Sequence, residues 1–300
     1  MQLNHKTASK TLHNTHRLGF TLIELMVVIV IIGILMALIL PAIGAVRRRV
    51  QQAAVSTEIT QLDQAVVSFK VRFGVEPPSS LTIPVNAISW TPTDRQKVLR
   101  IWDQFDFSSC GGLGYSGTEV HLNGAECLTF FLGGLNSGTV TAPSLIGFSK
   151  NPVTPWSAAG ENRDAPFFDN FASARLVDID GDGALEFLDS LPDQTTPYLF
   201  LSSQGKSYRK LNLPNAFDDY DVYDNVLDAS QDVRDMASCY MGNDNKTPLR
   251  NQSYQIISPG LDGLYGVGGI YTDGSELTAA NGRQAEADNI TNFSGGVLQQ

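Results

Sequence analysis

The stretch RLGFTLIELMVVIVIIGILMALILPAIG, residues 17–44, decides how this chain begins to fold. Between Gly19 and Pro41 it holds an apolar run that only Glu24 interrupts. About 20 helical residues suffice to cross the hydrocarbon core of a bilayer, so residues 20–40 predict a membrane-length helix. A fully buried core helix is the alternative. A lone carboxylate in hydrocarbon is costly, so Glu24 needs either a partner or a position at the membrane surface.

The residues after this run predict that the helix continues with a different character. Apolar residues recur at spacings of four and three between polar ones, which is typical of an amphipathic helix with one apolar stripe. The stripe consists of Val55, Ile59, Leu62, Val66, Phe69 and Phe73. Gly74 can cap the helix, and Pro77-Pro78 prevent its continuation. We therefore expect one helix over residues 20–73 whose stripe packs on the rest of the chain.

The remainder predicts an α+β head: a small antiparallel β-sheet, packed on the long N-terminal helix, with long loop insertions. The runs ARLVDI, PYLFLS and YQIISP are short, apolar or aromatic, and bounded by turn residues, so they predict strands. Residues 94–105 predict one short helix. Residues 106–165 are rich in Gly, Ser and Pro and predict a long loop-like insertion.

Composition narrows the function. The chain has 31 acidic and 21 basic residues and a net charge of −10, which disfavours a nucleic-acid partner. Of its 4 histidines only His121 follows Gly19, and neither a nucleophile elbow nor a phosphate loop is present. A catalytic role is therefore not expected, and a carboxylate-based hydrolase is the one enzymatic alternative.

The 3 cysteines, Cys110, Cys127 and Cys239, contain no C-x-x-C pair, which disfavours a zinc or thioredoxin-type site. Outside the cytoplasm Cys110 and Cys127 could form a disulfide across a Gly-rich loop. Three separate thiols are the alternative.

The stretch DIDGDGALEFLD, residues 178–189, matches the spacing of an EF-hand calcium loop. Dense carboxylates repel one another without a cation, and Gly183 permits the sharp turn between them. The predicted ligands are the side chains of Asp178, Asp180, Asp182 and Asp189, the carbonyl of Ala184, and Glu186 directly or through water. The last ligand is Asp instead of Glu, and the flanks resemble strands, so we expect a calcium loop between strands. A solvated hairpin turn is the alternative.

The opening residues resemble the N-terminus of type IV pilins and pseudopilins, through RLG-FTLIEL followed by an apolar helix. The resemblance implies that residues 1–19, which are short and basic, are a leader that prepilin peptidase removes after Gly19. It implies methylation of the new N-terminal residue, Phe20. It also implies that Glu24 pairs with the amine of another subunit during assembly, and that Pro41 is the helix-bending proline.

The C-terminal part resembles the head of the major pseudopilin of type II secretion, through TPY at 196–198, SPGLDG at 258–263 and DNITNF at 288–293. The resemblance implies a second calcium site with Asp262 and Asp288 as side-chain ligands. Asn289 stands where the family usually has an acid, and the loop 264–287 is longer than usual. Compared with that family, the head, residues 75–300, is enlarged by insertions near 80–170 and 212–252.

These features predict a structural subunit of a type II secretion pseudopilus or a related type IV filament. Its expected partners are prepilin peptidase, other pilin or pseudopilin subunits and inner-membrane lipid, with calcium as the expected cofactor. Residues 20–40 would span the inner membrane or form the filament core, residues 41–74 would continue the helix, and the head would lie outside the cytoplasm. A membrane-anchored adhesion or binding module at a filament tip is the alternative.

Overall fold

A computed structural model describes residues 19–85, 90–108, 113, 115, 117–160, 162–203, 239–243, 247–277 and 283–299, apart from the side chain of Pro41. The predicted leader therefore lies outside the described residues except for Gly19. So does most of the predicted insertion at 212–252. The chain divides into two compact units, residues 1–48 and 49–300, and the second contains the head.

Three α-helices are described. Helix α1 runs over Leu22–Phe73, α2 over Pro92–Ile101 and α3 over Gly124–Gly133. The N–H of Gly74 donates to the carbonyl of Lys70, at 2.8 Å, as the predicted cap requires. The single long helix is confirmed, and it continues through Gly33 and Pro41.

Nine short strands are described in chain order: β1 Leu81–Pro84, β2 Glu119–Leu122, β3 Leu176–Val177, β4 Glu186–Phe187, β5 Leu199–Ser202, β6 Tyr240–Met241, β7 Tyr254–Ser258, β8 Gly269–Ile270 and β9 Ile290–Thr291. They form an antiparallel three-stranded sheet in the order β5-β7-β9 and antiparallel pairs β1-β2 and β3-β4. The pair β6-β8 is parallel. The α+β class and the three predicted strands are confirmed.

The three-stranded sheet is buried on both faces. Phe200 and Ile256 share one core with the α1 stripe, whereas their neighbours Leu199 and Ile257 lie in a second core with Tyr240 and Tyr265. Successive strand residues point to opposite faces, so PYLFLS is continuously apolar because both faces are covered. The stripe is buried from Val55 to Phe69, and Phe73 is half-buried.

The expectation that residues 106–165 form a loop-like insertion was wrong. This region contains β2 and α3, and every residue of α3 is buried. Phe131 of α3 packs on Phe69 of α1, with ring centroids 5.8 Å apart, and Phe130 packs on Trp156 at 5.5 Å. A helix that is buried all round has no polar face, so its sequence lacks the helical periodicity that predicts it.

Candidate functional site

The predicted processing site lies directly before the start of α1. Gly19 and Phe20 lie just before the helix and are exposed. The N–H and the Oγ1 of Thr21 donate to Oε2 of Glu24, at 2.9 and 2.8 Å, and the N–H of Glu24 donates to Oγ1 of Thr21, at 3.2 Å. These reciprocal bonds are a capping box. Glu24 thus has a local role that our sequence interpretation missed, although the T-x-x-E spacing signals it.

The helix that follows is long and apolar enough, by length and composition, to cross a membrane. Its large apolar side chains from Leu22 to Leu40 are exposed. Exposure of so many apolar side chains in water is unfavourable, so this surface is suited to lipid or to other apolar helices.

The first acidic loop comprises residues 178–189. The part before β4 connects β3 to β4 in a hairpin. Asp178 accepts from the N–H groups of Gly181 and Gly183, at 2.8 and 3.1 Å, and Asp182 accepts from that of Ala184, at 2.7 Å. Gly183 has a φ of 98°, a conformation that favours glycine. The predicted sharp turn between strands is confirmed.

The hairpin is anchored to α1 by a charged network. Both Nη atoms of Arg175 donate to the carboxylate of Glu58, at 2.8 and 2.5 Å, and the hydroxyl of Tyr198 donates to the same carboxylate at 2.6 Å. Arg175 precedes β3 directly. Glu58, one of the polar residues between the stripe positions, is 9% exposed. Through these hydrogen bonds it links α1 to the hairpin.

The fold brings a further carboxylate, Glu126 of α3, to the first acidic loop. One carboxylate oxygen each from Glu126, Asp180 and Asp182 lies within 4.8 Å of the others. Glu126 is 1% exposed, and its Oε1 has no hydrogen-bond partner among the described residues. The same holds for Oε1 of Glu186 in β4, whose Oε2 accepts from the N–H of Ile179 at 3.2 Å. Carboxylate oxygens are the ligands that hard cations prefer.

Burial and like charge disfavour ionisation of this group. Burial raises the pKa of Glu126 and that of Glu186 well above their ordinary range, and nearby carboxylates raise both further. Burial also raises the pKa of Asp182 to about 6. A bound cation would favour the charged forms.

Asp189, predicted as the last ligand of this loop, lies elsewhere. Its carboxylate accepts from Oγ of Ser258 at 2.5 Å, from the N–H of Leu191 at 2.9 Å and from Nε2 of Gln194 at 3.1 Å. Gln194 also donates to the carbonyl of Gly260, at 3.1 Å. Asp189 therefore joins the first loop to the SPG turn, whereas the carboxylate of Glu126 lies beside those of Asp180 and Asp182.

The structure brings the predicted ligands of the second site together. Oδ2 of Asp288 accepts from the N–H groups of Leu261 and Asp262, at 2.6 and 3.3 Å. Burial, together with the nearby charge of Asp288, raises the pKa of Asp262 to about 6. Asn289 points elsewhere, because its Nδ2 donates to the carbonyl of Tyr265 at 2.8 Å. The second calcium site stays a prediction.

The cysteine pairing also stays a prediction, because Cys110 lies outside the described residues. Cys127 is buried in α3, where its Sγ is 3.7 Å from the carbonyl of Leu122.

The family model of the prokaryotic N-terminal methylation motif matches residues 14–40 of this chain. This motif is a signature of type IV pilin-like subunits that prepilin peptidase processes. No curated protein and no solved structure matches the chain. The resemblance of the C-terminal part to the major pseudopilin therefore remains an expectation from the sequence.

Proposed function

We propose that this chain is a structural subunit of a type II secretion pseudopilus or a related type IV filament, without catalytic activity. The observation that carries the proposal is the methylation motif at residues 14–40, directly followed by an exposed apolar helix. Before assembly this helix would anchor the subunit in the inner membrane, with the head outside the cytoplasm. Afterwards the same apolar surface would pack on helices of neighbouring subunits.

Assembly would use Glu24 and the new N-terminus. Cleavage after Gly19 creates an amine on Phe20, and within one helix that amine cannot pair well with Glu24 because it points away along the axis. In a staggered stack of identical helices the amine of one subunit can reach Glu24 of another. Pairing removes the cost of a lone carboxylate in an apolar environment.

The head would be stabilised by calcium at the first acidic loop. The support is a set of carboxylates on one turn, of which Asp180 and Asp182 lie close together, and their chemistry fits a hard divalent cation. Calcium at Asp262 and Asp288 is the weaker part of this proposal, because these are the two carboxylates that the described residues bring together there.

The test of processing is the mass and N-terminal sequence of the protein taken from its membrane fraction. We expect a chain that begins at Phe20 and carries one added methyl group. A chain that still carries residues upstream of Gly19 would contradict the pilin-like role. A Gly19→Val variant, expected to remain uncleaved, is the control that cleavage depends on this position.

A further inference from the structure

We propose that Glu126 of α3 is a direct ligand of the cation at the first acidic loop, so that the site is closed from outside the loop by a helix. This inference rests on the proposed calcium site and changes its ligand set. Glu126 lies more than 50 residues before the loop in the sequence, yet its carboxylate lies within 4.8 Å of those of Asp180 and Asp182.

The first support is an oxygen without a donor. Oε2 of Glu126 accepts from the N–H of Asn123 at 2.7 Å, whereas Oε1 is buried and has no hydrogen-bond partner among the described residues. Buried carboxylate oxygens are normally hydrogen-bonded or paired with a cation. A ligand role for Oε1 accounts for an oxygen that capping leaves unused.

The second support comes from another element. Among the described residues, Oε1 of Glu186 in β4 is also buried without a hydrogen-bond partner, and Glu186 lies close enough for its charge to act on Glu126. In the described part of the chain, no lysine or arginine forms an ion pair with these two carboxylates or with those of Asp180 and Asp182. Within the described residues, the group therefore has no cationic side chain as an ion-pair partner.

A small cavity also lies where the loop meets α3. It has a volume of about 20 Å³ and is lined by Glu126 together with Gly183, Ala184 and Leu185. That volume holds about one water-sized group. The boundary between loop and helix thus has room beside Glu126.

Helix α3 presents Glu126 rigidly. The capping box fixes the side chain, since Oε2 of Glu126 accepts from the N–H of Asn123 at 2.7 Å. A Cβ added at Gly124 would lie 2.1 Å from the carbonyl oxygen of Phe200, so the start of the helix abuts strand β5. Cation binding would join the loop to the aromatic core that α3 carries, through Phe130 and Phe131.

The experiment measures calcium binding and thermal unfolding of the full-length chain in detergent, with calcium chloride or with a chelator. In Glu126→Gln the amide still accepts the capping hydrogen bond, so only the charge is lost. We expect calcium affinity to fall at least about tenfold. The unfolding midpoint in chelator should be almost unchanged, because the glutamine amide keeps the capping hydrogen bond.

The control is Asn123→Ala, which removes a capping acceptor but no carboxylate. It should lower the unfolding midpoint equally with calcium and with chelator. Wild-type calcium affinity in Glu126→Gln, or an equal loss of stability in both conditions, would show that Glu126 only caps the helix and would overturn the inference. Absence of calcium binding by the wild type would overturn the proposed site itself, and the inference with it.

Discussion

The starts of α1 and α3 use the same local device in opposite surroundings. Thr21 and Glu24 form a capping box on an exposed apolar helix, and Asn123 and Glu126 form one on a helix that is buried throughout. In both boxes the glutamate uses Oε2 to accept the capping hydrogen bond. A capping box therefore fixes the position of a carboxylate, whereas its surroundings determine what else that carboxylate can bind.

The largest effect is expected from a substitution that removes the charge of Glu24 but keeps its capping role at the start of α1. Glu24→Gln keeps a capping acceptor but removes the charge that we propose pairs with the amine of Phe20. Breaking a buried ion pair costs about 3–5 kcal/mol, and the lower value corresponds to roughly a hundredfold in an equilibrium constant. We expect filament yield to collapse while cleavage after Gly19 stays normal.

The measurement compares sheared filaments with processed subunits in the membrane. Asp103→Asn, which removes an exposed carboxylate from the head, should assemble normally. Wild-type filament yield from Glu24→Gln would mean that Glu24 is needed only for capping, or not at all.

Calcium removal tests whether the first acidic loop, beside the capping box of α3, binds a cation. Calcium at about a hundred times its dissociation constant stabilises a binding protein by about 2.7 kcal/mol. For a head of this size that shifts the unfolding midpoint by about 5–10 °C. We therefore expect a chelator to lower the midpoint of the wild type by this amount and to leave Asp182→Asn almost unaffected. Asp103→Asn should respond as the wild type does, and a wild type insensitive to chelator would contradict the calcium proposal.

The sequence predicted those parts of the fold that have a local signal. The α1 stripe and the strands β5 and β7 follow from helical periodicity and from short apolar runs. Helix α3 gave no such signal, because all its residues are buried. Glu58 lies between stripe residues, where the pattern has polar residues. Its burial could not be predicted, because only the tertiary structure brings Arg175 to it.

In the first acidic loop, too, local features were predicted and tertiary contacts were not. Its turn at Gly183 was predicted because glycine and aspartate spacing is local. Asp189 was predicted as a ligand from EF-hand spacing, but the chain passes through β4 and carries its carboxylate to Ser258. Glu126 was not predicted at all: the N-G-A-E spacing signals a capping box, whereas its contact with the loop is tertiary.

A smaller effect is expected from Asn123→Ala as a measure of capping alone. Loss of an N-cap side chain costs about 1 kcal/mol of stability, with a range of about 0.5–2. We expect the upper part of that range, because the N–H of Glu126 would be left buried without its acceptor. Denaturant unfolding in chelator measures it. Asn123→Ser, which retains an uncharged capping acceptor, should restore most of this loss, and an equal loss in both variants would contradict the capping role.

The smallest effect is expected at the exposed box. Thr21→Ala removes the hydroxyl that accepts from the N–H of Glu24, at a cost of about 0.5–1 kcal/mol. The first amides of α1 in the processed protein should therefore exchange hydrogen roughly two- to fivefold faster. Thr57→Ala is the matched control, since its hydroxyl donates to the carbonyl of Ala53 within the same helix, far from the cap. Unchanged exchange at the start of α1 in Thr21→Ala would contradict the box. Filament yield from Thr21→Ala then tests capping against charge, because Glu24 keeps its charge there but loses its two hydrogen bonds with the hydroxyl of Thr21. Normal assembly would mean that charge alone suffices, and impaired assembly would mean that capping holds Glu24 in position for its partner.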